Sequence, residues 1–346
     1  MMQSMAATAG AVLYKRATDS GDVDNPKQVS GWVFLVVLAN VLVFLPVVVY
    51  MSYTLGQLFP ALAIVENTDP PAYEPVALND EADNANAAPR SDAGKPISSS
   101  LRALSRLLYS VAGWRASFRG LGACVAYLFA ISVVTGIFTA IPFVPAEVGT
   151  LLAALALVQL STAWVHIAIS PPNPAYFWRR LPPFRKAFEA TWIPTVVACV
   201  AGTAAGYVPQ LAALVVGLPL VDPSKPGEIP EYDRHASWKV LVVLLVTLVA
   251  WALVIVPAEV LLIRVQASLL PPDEDTIIPF DRTYGGTLEP AVVGKGYVSV
   301  RDALGTFPRS SWVRIYILHA KIFAAVLLAY GVMLAVIVPQ ALLFKL

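Results

Sequence analysis

Charge is scarce in this chain. Only 14% of its 346 residues are Asp, Glu, Lys or Arg, and 24 basic against 23 acidic residues leave a net charge of +1. Such a balance gives no field for nucleic acid. Cysteine is nearly absent too. Cys124 and Cys199 both fall in apolar runs, where they read as small packing residues without a disulfide or metal role. The three histidines, His166, His235 and His319, are too scattered to form a metal site. Enzyme signatures are missing: there is no Gly-x-Ser-x-Gly elbow, no Gly-x-x-x-x-Gly-Lys loop and no His-Glu-x-x-His. Gly120-Leu121-Gly122 lacks the third glycine and preceding strand of a dinucleotide site. The expectation is therefore a protein that is not an enzyme and has no cofactor, with a membrane acid–base pair of Glu147 and Glu259 as the one enzymatic alternative. Residues 1–30 contain neither an apolar stretch before a small-residue cleavage site nor an Arg-rich run, so they read as a flexible N-terminus rather than a signal or transit peptide.

What the chain has is apolar length. Hydrophobic residues make up 57% of it and the mean hydropathy is +0.67, more apolar surface than a soluble domain of this size can hide. The partner this implies is the lipid bilayer. A spanning helix needs about 20 mostly apolar residues, and six stretches qualify: Gly31–Gln57, Gly120–Ile141, Ala146–Ile169, Trp192–Leu218, Trp238–Ile263 and Ile315–Phe344. The predicted fold is all-α and polytopic.

The spans repeat. Val144-Pro145-Ala146-Glu147-Val148 and Val256-Pro257-Ala258-Glu259-Val260 are identical pentapeptides 112 positions apart, and a degenerate first copy falls at Pro46, 99 positions before Pro145. Double prolines, Pro70-Pro71, Pro171-Pro172 and Pro271-Pro272, end the first, third and fifth spans, because proline cannot continue a helix. The frame divides the chain into repeat 1 (31–141), repeat 2 (142–220) and repeat 3 (221–346, with a long loop over 265–312). Val208-Pro209-Gln210 and Val338-Pro339-Gln340 recur late in spans four and six, which supports duplication.

Basic residues crowd the connections after spans one, three and five, among them Arg102, Arg106, Arg115, Arg119, Arg179, Arg180, Arg185, Arg282, Arg301 and Arg314. Positive charge favours the non-translocated face, which puts these loops on the cytosolic or matrix side and both termini on the other. Within loop one, 66–96 reads as a flexible acidic insert. Leu101, Leu104, Leu107, Leu108 and Val111 then fall at helical spacing around Arg102 and Arg106, predicting an amphipathic surface helix over 101–112. In loop three, Val298, Arg301, Ala303, Leu304 and Phe307 predict a short helix ending at Pro308. Asp273, Glu274, Asp275 and Asp281 lack Ca²⁺-loop spacing and read as solvated, as does the Tyr284-Gly285-Gly286 turn.

The stretch Pro257-Ala258-Glu259-Val260-Leu261-Leu262-Ile263-Arg264-Val265-Gln266 resembles the mitochondrial carrier signature, matching it at Pro257, Glu259, Arg264 and Gln266 and departing at Leu262, where the family has Lys or Arg. Gly113-Trp114-Arg115-Ala116-Ser117-Phe118-Arg119-Gly120 is similar to the family's second element, and the run from Ser299 through Arg301-Asp302-Ala303-Leu304 to Trp312-Val313-Arg314 looks like its place in repeat 3. The motifs are eroded. Repeat 1 has no acid after Pro46, and repeat 2 keeps Pro145 and Glu147 but has Thr150, Leu152 and Ala154 where the basic residues and glutamine would stand.

The resemblance implies a bundle of six transmembrane helices in three pseudo-repeated hairpins, in a mitochondrial membrane, with the endoplasmic reticulum as the alternative. It also implies that the paired gate charges of the family are largely gone. Glu147 and Glu259 then have two readings: intramembrane acids with a functional role, or helix-start residues that follow a proline and favour the positive dipole end. Lys321, His319 and Tyr127 lie near the depth at which the family binds substrate, where they would hold a small anionic solute; the alternative for Lys321 is a side chain snorkelling to the interface. His166, beside Trp164, reads as an interface residue. Two functions emerge as expectations: movement of a small solute by alternating access without the usual charged gates, or a repurposed carrier fold that serves as a scaffold, receptor or insertion factor for a membrane-protein partner.

Overall fold

A computed structural model describes residues 31–67, 96–219, 237–289 and 294–344. The expected flexible N-terminus, most of the acidic insert, Pro70-Pro71 and His235 lie outside the described residues.

Every regular element among the described residues is a helix. In chain order the main ones are α1 (Gly31–Val49), a π-helical segment (Tyr50–Leu58), α2 (Phe59–Val65), α3 (Leu101–Ala112), a 3₁₀ segment (Gly113–Phe118), α4 (Leu121–Thr139), α5 (Ala146–Ala156), α6 (Val158–Ile169), α7 (Phe184–Val216), α8 (Ser237–Ala250), a π-helical segment (Trp251–Ile255), α9 (Val256–Ser268), α10 (Val300–Gly305) and α11 (Arg309–Phe344). Among the described residues, five helical runs are long and apolar enough to cross a membrane: Trp32–Val65, Leu101–Thr139, Phe184–Val216, Ser237–Ser268 and Arg309–Leu343. These runs mark the chain as an integral membrane protein. Large apolar side chains such as Leu42, Phe129, Leu245 and Leu328 stand exposed along them, the arrangement lipid requires and water penalises. The expected third span is not one straight helix: α5 and α6 meet at Leu157 with a bend of 61°.

Prolines set the local geometry in two ways. Pro145 stands outside α5 as its N-cap, with extended ψ of 153°, because Pro142 three residues earlier and Phe143, at φ +70°, have already turned the chain out of α4. Pro257, in the same pentapeptide, lies inside a helical run. Val256 keeps helical angles (φ −58°, ψ −46°), and its N–H bonds back five residues to Trp251 O. A wide π turn moves the carbonyls that a proline ring would otherwise strike and tolerates its missing N–H. Pro60 repeats this arrangement two residues after the π segment Tyr50–Leu58, with Phe59 N–H bonded back to Thr54 O. The local geometry of Pro257 is therefore shared by Pro60, whereas Pro46 lies within α1 ahead of the π segment.

Contacts divide the chain into two units. One contains the residues up to Leu45, Val200–Pro257 and the chain from Tyr330 onward. Its helices are almost wholly apolar, with Asn40 Nδ2 donating to Gln340 Oε1 and Lys239 Nζ to Gly217 O at 3.0 Å. The other contains Pro46–Cys199 and Ala258–Ala329. Here α4 packs on α5, and Gly149 allows a close approach: a Cβ added there would lie 2.7 Å from Thr139 Cγ2. This second unit also contains the polar network around α9 and the loops that pack on it.

Candidate functional site

The connection after α9 folds back on the helix it leaves. Leu261 and Val265 of α9 and Leu269 just past its end form a buried cluster with Ala190, Tyr284, Val298 and Ala303. Asp281 starts the tight turn that allows this. Its Oδ1 accepts from the Thr283 N–H (2.8 Å) and hydroxyl (2.6 Å), and its Oδ2 accepts from Gly285 N–H (2.7 Å). Burial pushes the Asp281 carboxyl up, but these hydrogen bonds and the nearby Arg264 outweigh it and hold it below the usual aspartate range, so it is ionised at neutral pH. Tyr284, Gly285 and Gly286 all have positive φ (51°, 68° and 80°), which glycine adopts freely and tyrosine does not. Tyr284 is held there by burial and by its hydroxyl, which donates to Arg264 O at 2.6 Å; the same burial raises the phenol above its ordinary range. The expectation of a solvated Tyr284-Gly285-Gly286 turn is thus corrected at Tyr284, while Gly285 and Gly286 are exposed. Apolar packing against α9 outweighs the polar composition of the loop around it.

Arg264 is the centre of the arrangement. Its guanidinium carbon lies over the Tyr284 ring at 4.8 Å and the Phe307 ring at 4.9 Å, and one terminal nitrogen donates to Thr306 Oγ1 at 2.8 Å. The residue is 8% exposed, its Nε has no partner, and no carboxylate among the described residues forms an ion pair with it. Arg264, Tyr284, Phe307, Thr306, Asp281 and Glu66 line a cavity of ≈ 690 Å³. The residues just after short α10, Thr306 to Pro308, supply another wall. The α10 N-cap Ser299 accepts from Asp302 N–H at 3.1 Å, and Phe307 just beyond the helix meets Trp312 edge-on at 5.0 Å. The helix falls where the sequence placed it, but Arg301 and Leu304 face outward while Val298, Ala303 and Phe307 are buried.

Glu66, which sequence reading assigns to the start of the flexible insert, is buried and fully engaged. Its carboxylate accepts from Ile97 N–H (2.6 Å), Ser98 N–H (3.1 Å), the Ser98 hydroxyl and Arg314 (3.1 Å). Arg314 also donates to Ala63 O and Glu66 O, at 3.1 and 3.0 Å, at the carboxyl end of α2. Arg119 does the same at the end of α6, donating to Ile167 O (3.2 Å) and Ser170 O. Guanidinium groups satisfy the orphan carbonyls of a helix end and oppose its negative dipole. A smaller cavity of ≈ 340 Å³ beside Arg119 is also lined by Arg180, which pairs with Glu274. Glu274 is therefore not simply solvated.

The remaining expected site residues are dispersed. Gln266 is buried and donates to Ser161 Oγ at 2.8 Å, while its carbonyl contacts His166 Nε2 at 2.9 Å. His166 is thus a buried tie between α6 and α9 rather than an interface residue. Lys321 is exposed and donates to Ser99 O at 2.7 Å. His319 is buried, with Nδ1 2.9 Å from Ile315 O of its own helix. Two positions along a helix are about 200° apart, so His319 and Lys321 do not share a face. Tyr127 is half-buried near Cys124 and Cys199, and none of these three site candidates lines the Arg264 cavity or the Arg119 cavity. Glu147 does sit in the first turn of α5 after Pro145, whereas Glu259 lies within a continuous helical run and is not a helix-start residue. Sequence reasoning missed Tyr284, Thr306, Phe307 and Glu66; an aspartate with a tyrosine and two glycines soon after it was the available signal for the turn.

No protein-family model, no curated protein and no solved structure matches this chain.

Proposed function

We propose that the chain is an integral membrane protein of carrier-like design that moves a small solute. Counting the bent α5–α6 pair as a single broken span brings the total among the described residues to six, the number that a three-hairpin reading needs. The observation that carries the solute reading is the ≈ 690 Å³ cavity around Arg264. Its volume falls in the range of small-molecule sites, and a buried cation without a carboxylate is expensive to keep unless something compensates it. A mitochondrial membrane is inferred from the carrier resemblance of Pro257–Gln266.

The second reading is a carrier fold turned into a scaffold, receptor or insertion factor. It draws support from Arg119 and Arg314, which fasten neighbouring segments to the ends of α6 and α2. It also gains from the dispersal of Lys321, His319 and Tyr127.

Reconstitution separates the two. The purified full chain in proteoliposomes is expected to take up at least one member of a panel of carboxylates, amino acids and nucleotides above empty vesicles. Uptake of none, together with stable co-purification of another membrane protein, rejects the solute reading in favour of the scaffold.

A further inference from the structure

We propose that the Arg264 cavity binds a small monocarboxylate with a flat apolar body. This deepens the solute reading by naming the solute class, although binding stands or falls separately from movement across the membrane. Charge is the first constraint. Arg314 is matched by Glu66 and Arg180 by Glu274, but Arg264 has no ion pair among the described residues, and Asp281, the ionised acid in the same cavity, is turned toward Thr283 and Gly285. A ligand bringing one negative charge supplies what is missing.

Shape selects further. The Tyr284 and Phe307 ring centroids lie 4.8 and 4.9 Å from the guanidinium carbon and Thr306 takes one terminal N–H, so a ligand that keeps to the guanidinium plane avoids both rings. A planar carboxylate fits an in-plane fork. The out-of-plane oxygens of a phosphate would meet the rings instead, and its second charge would face Asp281, while Arg282 of the same cavity is engaged by Pro271 O and Glu274 O. Phe280, Tyr284 and Phe307 give the rest of the cavity aromatic walls that suit an apolar body.

Benzoate is the probe. In equilibrium dialysis against the full chain in detergent, labelled benzoate should bind saturably, be displaced by unlabelled benzoate, and resist displacement by its neutral isostere benzamide and by equimolar inorganic phosphate. Arg264→Gln should weaken binding by at least about tenfold, as expected for loss of a charge-assisted hydrogen bond. Should that variant fail to melt cooperatively, Arg264→Lys provides the second test: it keeps the charge but loses the planar fork, so saturable benzoate binding should persist, weakened by about tenfold. The proposal is overturned by an absence of saturable benzoate binding, by displacement with benzamide or phosphate as readily as with benzoate, by a folded Arg264→Gln protein of wild-type affinity, or by wild-type affinity in Arg264→Lys. Binding without uptake in vesicles removes movement across the membrane and leaves the site; uptake of carboxylates with wild-type rate in Arg264→Gln removes the site and leaves movement.

Discussion

Val-Pro-Ala-Glu-Val starts a helix at Val144 and sits inside one at Val256. The difference teaches that a proline is read by its distance from the nearest helix stops. From Pro145 to the Pro171-Pro172 stop there are 26 residues, enough for about 39 Å of helix, so a span can begin there. From Pro257 to Pro271 there are 14, about 21 Å of helix against a hydrocarbon core of about 30 Å. The helix around Pro257 has to extend upstream of its proline, and the apolar run Val240–Ile255 lets it do so, at the cost of a π turn. Pro142 closes that option at Pro145.

Downstream of the pentapeptide the two copies diverge accordingly. Arg264 and Gln266 of α9 face the polar network of their unit, while the positions 112 residues earlier are Leu152 and Ala154. Converting one copy toward the other tests the contrast. Arg264→Leu forfeits two cation–aromatic contacts and a charged hydrogen bond, about 3–4 kcal/mol together, and recovers part of the cost of burying a cation without a carboxylate, for a net loss of about 2–3 kcal/mol. The expected result is a clear fall in the melting temperature of the detergent-solubilised protein; an unchanged melting curve would mean that the turn around Tyr284 holds without its arginine.

Gly149→Leu installs the residue found at Leu261 and should cost about 2 kcal/mol by overpacking, because the new Cβ meets the stiff side chain of Thr139. Cysteine cross-linking across the α4–α5 hairpin should report a looser pair. A smaller effect of opposite sign is expected from the prolines. Pro257→Ala restores a helical N–H and should stabilise by about 1 kcal/mol, since membrane helices already compensate much of a proline's penalty, while Pro145→Ala should leave the melting temperature almost unmoved. Equal effects from both would undo the distinction between a capping and an interior proline. Glu147→Ala should cost about 0.5 kcal/mol of helix-start electrostatics, with its influence shrinking as salt is raised.

Several of these elements were legible in sequence. The amphipathic run at Leu101–Ala112, the helix at Val300–Gly305 and the stops at Pro171 and Pro271 arise from periodicity and proline chemistry, which are local. Arg264 stood out from its resemblance to a signature, but its partners did not. Tyr284, Thr306 and Phe307 lie 20 to 43 residues further on, and their convergence depends on a loop folding back over α9. Glu66 was misjudged for the same reason. Its neighbours in sequence are polar, while its partner Arg314 is 248 residues away.

By itself the sequence determined that this is a membrane protein of apolar helices punctuated by prolines, because hydropathy and the missing proline N–H act within one turn of the chain. Only the tertiary structure decided which proline caps and which is absorbed, and which arginine is paired and which is left to a cavity. Those outcomes depend on carbonyls, rings and carboxylates brought together from distant segments, where burial makes each unpartnered charge costly.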